Sequence, residues 1–265
     1  MKSNIIIAVA QIDCVMLNPD KNIEKAIIFI ETAVKKKASL VILPELFDVG
    51  YNLKEINYMK YDTEYTLEQL SNVAKKYEIY VVAGVLEEIA DGTKYNTMYV
   101  FRNDGRIIAK YRKINLFGDE KNVFSRGNEI TTFNIDDFRF GLMNCYDIRF
   151  PEISRGLIDK NCSVFVVSSA FPLSRVLHWN ILLSARAIEN QVYVLASNRV
   201  GSECENTFAG NSCIIDPVGN VKSLDSMTQS CLIDMIEMDL IVNARLRLTC
   251  LDDMKKLKSI NFYRG

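Results

Sequence analysis

Short apolar runs rich in β-branched residues alternate with longer amphipathic segments along most of the chain. Runs of this length are typical of buried strands, and the segments between them carry apolar residues at the three- and four-residue spacing of a helix. The first half predicts strands at residues 5–10, 40–43, 79–86, 96–101 and 107–113, and helices at residues 20–37 and 67–77. This alternation predicts the α/β class, in which helices pack on a largely buried sheet.

The second half continues the pattern and adds two turn signals. It predicts strands at residues 139–144, 164–168, 192–197, 212–215 and 231–238. It predicts helices at residues 152–160, at about 178–189 and in the tail from Leu240. Asn103, Asp104 and Gly105 separate two predicted strands and indicate a hairpin, because these residue types tolerate left-handed backbone conformations. Residues 216–220 form a second strong turn. The pattern therefore predicts a mixed sheet with helices on both sides.

The length and charge of the chain limit its organisation and its partners. With 265 residues and no repeat or linker, we expect one domain over residues 1–265. A net charge of -1 gives no electrostatic reason to expect nucleic acid or a membrane as a partner. The apolar stretch at residues 5–10 is shorter than the roughly 18 residues of a membrane span, and it lacks the features of a signal peptide. We therefore expect a cytoplasmic protein that binds a small molecule or another protein.

The seven cysteines and the single histidine restrict the chemistry further. The cysteines are odd in number and lack C-x-x-C spacing, so they predict neither a disulfide framework nor a zinc site, and most are expected to be small buried side chains. A metal site that needs several imidazoles is impossible with His178 alone. We therefore expect no metal ion, and a pair of a nucleophile with a histidine would have to use His178.

Three segments place a reactive side chain at the end of a predicted strand. Cys145 follows a short apolar run and precedes a turn marked by proline, Glu45 ends a β-branched run, and Lys113 lies beside apolar residues. A thiol, a carboxylate and an ammonium group at strand ends can meet in one pocket. Each also has an ordinary interpretation: a buried cysteine, a carboxylate facing water, and a lysine in a solvated group with Lys110 and Arg112.

In these segments the sequence resembles the nitrilase superfamily of carbon-nitrogen hydrolases. The match includes Leu-Pro-Glu-Leu at residues 43–46, Arg-Lys-Ile-Asn-Leu-Phe at residues 112–117 and, at almost every position, the family's cysteine motif at residues 145–152. It extends over nearly the whole chain. The resemblance implies a four-layer α-β-β-α sandwich with mixed sheets, assembled as a homodimer and needing no cofactor, with the tail from about residue 240 at the dimer interface.

The resemblance also implies roles for the reactive side chains. Cys145 would attack an amide carbon, Glu45 would act as general base, and Lys113 with the backbone N–H of Tyr146 would stabilise the oxyanion. Ammonia would leave, and water would then hydrolyse the thioester. Asn115 stands where the family commonly has histidine, and an asparagine can still donate a hydrogen bond.

A second glutamate near the lysine belongs to the same family pattern, where it holds the lysine and orients the attacking water. Glu120 is favoured because its spacing to Gly127 is that of the amidase branch, and Glu129 is the alternative. Between the two candidate lysines, the Leu-Phe pair that follows favours Lys113 over Lys110.

Residues 171–179, 182–191 and 197–201 are most similar to the omega-amidase branch. That branch hydrolyses the terminal amide of short dicarboxylate monoamides such as 2-oxoglutaramate, so the resemblance implies a small-molecule amide as the substrate. The walls of the pocket would be aromatic, and four residues are expected to supply them: Phe47, Tyr51, Tyr146 and Phe171.

The carboxylate of such a substrate would bind an arginine in a bidentate pair. Arg175 is the preferred ligand because it lies in a predicted loop. Arg149 is the alternative, since an internal salt bridge with Asp147 or Glu152 explains it at least as well. His178 opens a predicted helix, and we interpret it as a packing or capping residue.

Other activities are compatible with the same three reactive residues. A nitrilase, an N-carbamoyl amine amidohydrolase and a deaminated-glutathione amidase would share them. A thiol redox sensor that uses Cys145, or a binding module on the same fold, is the alternative outside the enzymes. The presence of Glu45, Lys113 and Cys145 together favours an active hydrolase, because a binding module has no need of all three.

Overall fold

Two six-stranded mixed sheets pack face to face in the computed structural model, which describes residues 4–224 and 227–257. The first sheet contains strands β1 (Asn4–Gln11), β2 (Leu40–Ile42), β3 (Tyr80–Glu88), β4 (Lys94–Phe101), β5 (Ile107–Arg112) and β14 (Ser230–Glu237). Their order is β14-β1-β2-β3-β4-β5. The neighbours β1, β2 and β3 are parallel, and the other neighbours are antiparallel.

The second sheet has the same size and also contains a parallel centre. Its strands are β6 (Thr132–Ile135), β7 (Phe138–Asn144), β8 (Val164–Ser169), β9 (Tyr193–Asn198), β12 (Cys213–Ile215) and β13 (Val221–Ser223). Their order is β13-β12-β9-β8-β7-β6, with β7, β8 and β9 parallel. A separate hairpin pairs β10 (Ser202–Glu203) with β11 (Asn206–Thr207).

Helices form the two outer layers and the last described part of the chain: α1 (Pro19–Lys35), α2 (Leu53–Tyr58), α3 (Thr63–Tyr77), α4 (Pro151–Asp159), α5 (Val176–Asn190), α6 (Met238–Arg247) and α7 (Cys250–Leu257). α1 and α3 share an apolar cluster with the first sheet, and α4 and α5 share one with the second. A third cluster joins the inner faces of the two sheets. The fold is therefore the predicted four-layer α-β-β-α sandwich.

Strand β1 shows why these runs are continuously apolar. Successive side chains of a strand point to opposite faces of the sheet. Ile7 and Val9 pack in the cluster between the sheets, whereas Ala8 and Ala10 pack in the cluster beneath α1 and α3. Both faces are buried, so the sequence lacks the polar alternation of a strand with one face in water.

The turn between β4 and β5 is the predicted hairpin. Gly105 has a φ of +88°, and its N–H donates to the carbonyl oxygen of Arg102 at 2.8 Å. Glycine adopts this left-handed conformation without steric cost, which explains the turn signal in the sequence.

The sequence prediction located the long elements and also the three-residue strands β2 and β12, but it missed five other short elements: α2, β6, β10, β11 and β13. It placed the start of α3 four residues late. The helix begins after Asp62, which caps it: the Asp62 side chain accepts a hydrogen bond from the N–H of Tyr65 at 3.1 Å. The predicted tail helix is two helices, α6 and α7. Residues 258–265 of that tail lie outside the described residues. Over the two described ranges, no helix is both long and apolar enough to span a bilayer.

Candidate active site

Cys145 lies where β7 ends and the chain turns into a short 3-10 helix, Cys145–Arg149. Its φ is +45°, in the left-handed region that is unfavourable for a residue with a side chain. The N–H of Asn144 donates to Asp147 Oδ2 at 3.0 Å and closes the turn. Cys145 is only 8% exposed and lines a pocket at this end of the sheet. The turn therefore presents the thiol to the pocket.

Asp147 fixes this turn to the segment that carries the lysine. Its Oδ2 accepts a hydrogen bond from the Tyr111 hydroxyl at 2.7 Å. Its Oδ1 accepts from the backbone N–H and the side-chain Nδ2 of Asn115, at 3.0 and 2.8 Å. Asp147 is fully buried, and sequence reasoning considered it only as a partner of Arg149. Asn115 indeed donates a hydrogen bond, as expected of a substitute for histidine.

Lys113 joins two carboxylates beneath the pocket. Its Nζ lies 2.7 Å from Glu45 Oε1 and 2.8 Å from Glu120 Oε1, and all three side chains are inaccessible to solvent. Glu45 extends from the loop after β2, Lys113 follows β5, and Glu120 belongs to the 3-10 helix Gly118–Asn122. The three elements bring the predicted glutamate, lysine and second glutamate together.

Two further groups hold these carboxylates, and neither was anticipated. Asn96 Nδ2 donates to Glu45 Oε1 at 2.7 Å and lies 3.3 Å from Glu120 Oε1. The backbone N–H of Ala170 donates to Glu45 Oε2 at 2.8 Å. Asn96 is fully buried in β4, next to a second buried polar residue, Thr97, and these two polar positions in a predicted strand were the signal that the sequence contained. A backbone donor such as Ala170 leaves no signal in the side chains.

The alternative acid and the alternative lysine lie elsewhere. Glu129 is exposed beside a surface groove that Lys110 also lines. Lys110 Nζ lies 3.1 Å from Glu87, and 44% of its side chain is exposed. The lysine and the second glutamate that meet beneath the pocket are therefore Lys113 and Glu120, the two residues that the sequence analysis favoured.

The electrostatics of the cluster follow from its burial. Burial lowers the pKa of Lys113, but the charges of Glu120 and Glu45 raise it by more, so the ammonium form is retained. Burial raises the pKa of Glu45 even though Lys113 opposes the shift. Burial and the charge of Glu45 also raise the pKa of the Cys145 thiol, against a smaller effect of the Lys113 charge. The resting thiol is therefore protonated and needs a base.

Aromatic side chains form much of the pocket above this cluster. Tyr51, Tyr146 and Phe171 line it, as expected, together with Phe117 and Phe208, which the sequence analysis did not select. The expectation for Phe47 was wrong.

Phe47 is fully buried in the cluster between the first sheet and its helices. Its backbone N–H donates to the carbonyl oxygen of Gly84 at 2.9 Å. The side chain is therefore part of the core that supports the Glu45 loop and does not line the pocket.

Both candidate arginines line the pocket. The guanidinium of Arg175 stacks over the ring of Phe117 at 4.6 Å. Arg149 lies near the rings of Tyr146 and Phe171, and both of its terminal nitrogens lie 3.3 Å from His178 Nδ1. His178 is exposed and contacts Arg149, which differs from the packing or capping role expected for it. Within the described ranges, no group of three or more acidic, cysteine or histidine side chains is arranged to hold a metal ion.

Comparisons with known proteins identify the family and the fold. The profile of the carbon-nitrogen hydrolase family matches residues 6–245. The chain is 37% identical to 2-oxoglutaramate amidase of Bacillus subtilis (94% of this chain, 97% of the relative) and 35% identical to a nitrilase of Pyrococcus abyssi (97% and 98%). The structure of Saccharomyces cerevisiae Nit3, a member of branch 10 of the nitrilase superfamily, superposes with a TM-score of 0.86 at 28% identity (92% of this chain, 94% of that one). The chain belongs to the carbon-nitrogen hydrolase family of the nitrilase superfamily.

Proposed function

We propose that this protein is an omega-amidase, which hydrolyses the terminal amide of short dicarboxylate monoamides such as 2-oxoglutaramate. The observation that carries the proposal is the bridge of Lys113 between Glu45 and Glu120, buried under the pocket that Cys145 lines. The similarity to 2-oxoglutaramate amidase supports the substrate class.

In the first half of the reaction, Glu45 takes the proton of the Cys145 thiol as the sulfur attacks the amide carbon. A raised pKa suits Glu45 to this role, because a carboxylate that binds a proton more readily is a better base near neutral pH. The oxyanion accepts hydrogen bonds from the Lys113 ammonium and the backbone N–H of Tyr146. The carbon-nitrogen bond then breaks, Glu45 returns the proton to nitrogen, and ammonia leaves a thioester on Cys145.

In the second half, water replaces ammonia. Glu45 takes a proton from water as its oxygen attacks the thioester carbon, and Glu120 holds Lys113 and orients the water. The carbon-sulfur bond breaks, the thiolate regains its proton, and the carboxylic acid product leaves. Lys113 stays charged while Glu45 carries the proton, because the Glu120 carboxylate still accepts its hydrogen bond.

The aromatic walls and the two arginines support a short substrate with a carboxylate at the far end. We assign the carboxylate to Arg175, since both terminal nitrogens of Arg149 already face His178. A guanidinium binds a carboxylate through two parallel hydrogen bonds, and a lysine ammonium does not reproduce this geometry. The same pocket is compatible with a nitrile, and the similarity to the nitrilase of Pyrococcus abyssi favours that alternative over the other activities that share the residues.

The function is tested by measuring ammonia release from 2-oxoglutaramate, succinamate, a nitrile and an N-carbamoyl amine. We expect release from the two monoamides, and no release from a Cys145→Ala variant. Release from the nitrile or the carbamoyl compound alone would move the protein to another branch. Release by the variant at the wild-type rate would contradict the role of the thiol.

We also propose that the chain forms one domain over residues 1–265 and acts as a homodimer in the cytoplasm, with no nucleic acid or membrane partner. Exposed apolar residues on α5 and at the end of α6 support a contact between two copies: Leu177, Ile181, Ile188, Leu246 and Leu248. Sedimentation equilibrium should give the mass of a dimer, and Ile181→Lys should shift the mass towards that of a monomer. A monomeric wild-type protein would contradict this assembly.

A further inference from the structure

A buried ion pair lies behind the pocket wall, outside the glutamate and lysine cluster. Arg199 follows β9, Glu203 ends β10, and the distance between Arg199 Nη1 and Glu203 Oε2 is 2.5 Å. Arg199 is fully buried and Glu203 is 7% exposed. Because a buried ion pair is costly to desolvate and is weak evidence for stability, its contacts are the better guide to its role.

The pair holds two residues that line the pocket. Both carboxylate oxygens of Glu203 lie 3.0 Å from the backbone nitrogen of Tyr51, whose N–H donates to them. The Arg199 guanidinium stacks on the ring of Phe208 at 4.2 Å. Tyr51 and Phe208 pack edge to face, with ring centroids 6.4 Å apart. One ion pair therefore supports both aromatic residues of this wall.

The loop before Tyr51 is built for this contact. Gly50 has a φ of +80°, and a Cβ added at this position would lie 2.6 Å from Glu203 Oε2. A glycine is needed both for the backbone conformation and for the close approach of the carboxylate. The Glu203 carboxylate thus fixes the backbone at the base of the Tyr51 side chain.

Tyr51 connects this support to the buried cluster. Its ring lines the pocket with Cys145, and burial together with the charges of Glu120 and Glu45 raises the pKa of its hydroxyl. Glu120 Oε1 accepts a hydrogen bond from Lys113 Nζ at 2.8 Å. The backbone N–H of Phe117 donates to the other oxygen, Glu120 Oε2, at 2.6 Å. Moving the Tyr51 backbone would therefore displace a wall of the pocket that Cys145 lines.

We propose that Arg199 and Glu203 are positioning residues that act through Tyr51: they hold its ring in the pocket. The inference rests on the proposed function, because the position of the Tyr51 ring matters only where the pocket that Cys145 lines is an active site. Arg199 and Glu203 do not line the pocket, so they would act on the reaction without touching the substrate.

A double-mutant cycle tests the proposal. We expect Tyr51→Ala, which removes the ring, to lower kcat by up to about tenfold, because an aromatic contact of this kind is worth about 1 kcal/mol. Glu203→Gln should lower kcat by a similar factor in the wild-type background and by less than about twofold in the Tyr51→Ala background, because the group it positions is already absent. The matched control is Glu189→Gln, which removes the charge of the Arg186–Glu189 pair on α5 and should leave kcat unchanged.

Equal effects of Glu203→Gln in both backgrounds would overturn the proposal, since a general loss of structure would not depend on the Tyr51 ring. Folding of each variant is checked by the fluorescence of the single tryptophan, Trp179, which is fully buried. If Glu203→Gln does not fold, the same cycle is run with Arg199→Lys. Additive effects of Arg199→Lys and the Tyr51 substitution on kcat would then refute the proposal.

The same cycle can be measured without any substrate. The rate of Cys145 alkylation by iodoacetamide, followed by peptide mass spectrometry with exposed Cys250 as internal reference, reports on the site even if no amide is hydrolysed. A coupled change in alkylation with no ammonia release would retain the positioning role and refute the omega-amidase assignment. An uncoupled change would refute the positioning role whatever the substrate.

Discussion

Replacing Asp48 by Asn should remove a strong pH dependence from the stability of the protein. Asp48 is fully buried in the loop that carries Glu45. Its Oδ2 accepts from the Tyr61 hydroxyl at 2.6 Å and the N–H of Leu86 at 3.0 Å, and its Oδ1 accepts from the N–H of Val49 at 3.0 Å. An asparagine can keep the two backbone bonds through its carbonyl oxygen and donate to the tyrosine oxygen, so the substitution removes the charge with little loss of hydrogen bonding.

The magnitude follows from the pKa of the carboxyl group. Burial raises the pKa of Asp48 from 3.8 to about 7. A tenfold change in proton affinity is worth about 1.4 kcal/mol, so the folded state favours the protonated form by about 4 kcal/mol. The raised pKa contributes stability that is complete below pH 4 and is lost as the pH rises through 7. The free energy of unfolding of the wild type, minus that of Asp48→Asn, should therefore fall by about 4 kcal/mol between pH 4 and pH 8.

The assay is urea unfolding of both proteins across this range, followed by far-UV circular dichroism and by the fluorescence of Trp179. Coincident transitions by the two probes would justify a two-state free energy. The difference between wild type and variant cancels the titration of other groups that shift equally in both proteins. A difference that stays constant from pH 4 to pH 8 would show that Asp48 is ionised in the folded state at all these pH values, and it would refute the reasoning.

Three further predictions concern the site. Glu120→Gln should lower kcat at least about 100-fold, because it leaves Lys113 with one buried carboxylate. Replacement of the exposed Glu129 by Gln should have no effect, and steady-state ammonia release compares the two variants. Asn96→Ala should lower kcat by about 10- to 100-fold, since Asn96 donates to Glu45 and lies within hydrogen-bond distance of Glu120, and a KM that rises instead would contradict this. Arg175→Lys should raise KM about tenfold for succinamate and leave the KM of an uncharged amide unchanged. Equal effects on both substrates would contradict a contact between Arg175 and the substrate carboxylate.

The layers of the fold can be predicted from the apolar pattern of the sequence, but the contacts within the site cannot. Apolar runs such as residues 5–10 and 164–168 predict buried strands because both of their faces are covered. Two-residue polar elements such as β10 and β11 contain no apolar run and cannot be detected in this way. Yet that hairpin carries Glu203, which the sequence analysis did not select, because its partners Arg199 and Tyr51 are brought to it only by tertiary packing.

The reactive residues were accessible from the sequence for a different reason. Glu45, Lys113 and Cys145 each lie in a short segment that matches a family motif, so local sequence identified them. Asn96 has no such motif, and its bonds to two carboxylates depend on the register between β3, β4 and β5. Phe47 was misplaced for a related reason: an aromatic residue two positions after Glu45 can face the pocket or the core, and only the path of the loop decides which.

The most direct test of the account is the detection of the acyl-enzyme on Cys145. Rapid quenching of a reaction with succinamate, followed by intact and peptide mass spectrometry, should reveal a thioester equal in mass to the acyl group of the substrate on the peptide that contains Cys145. The signal should disappear in the Cys145→Ala variant, together with ammonia release. Turnover of succinamate by the wild type and the variant at equal rates, or an acyl group on another residue, would contradict the assignment of Cys145 as the nucleophile.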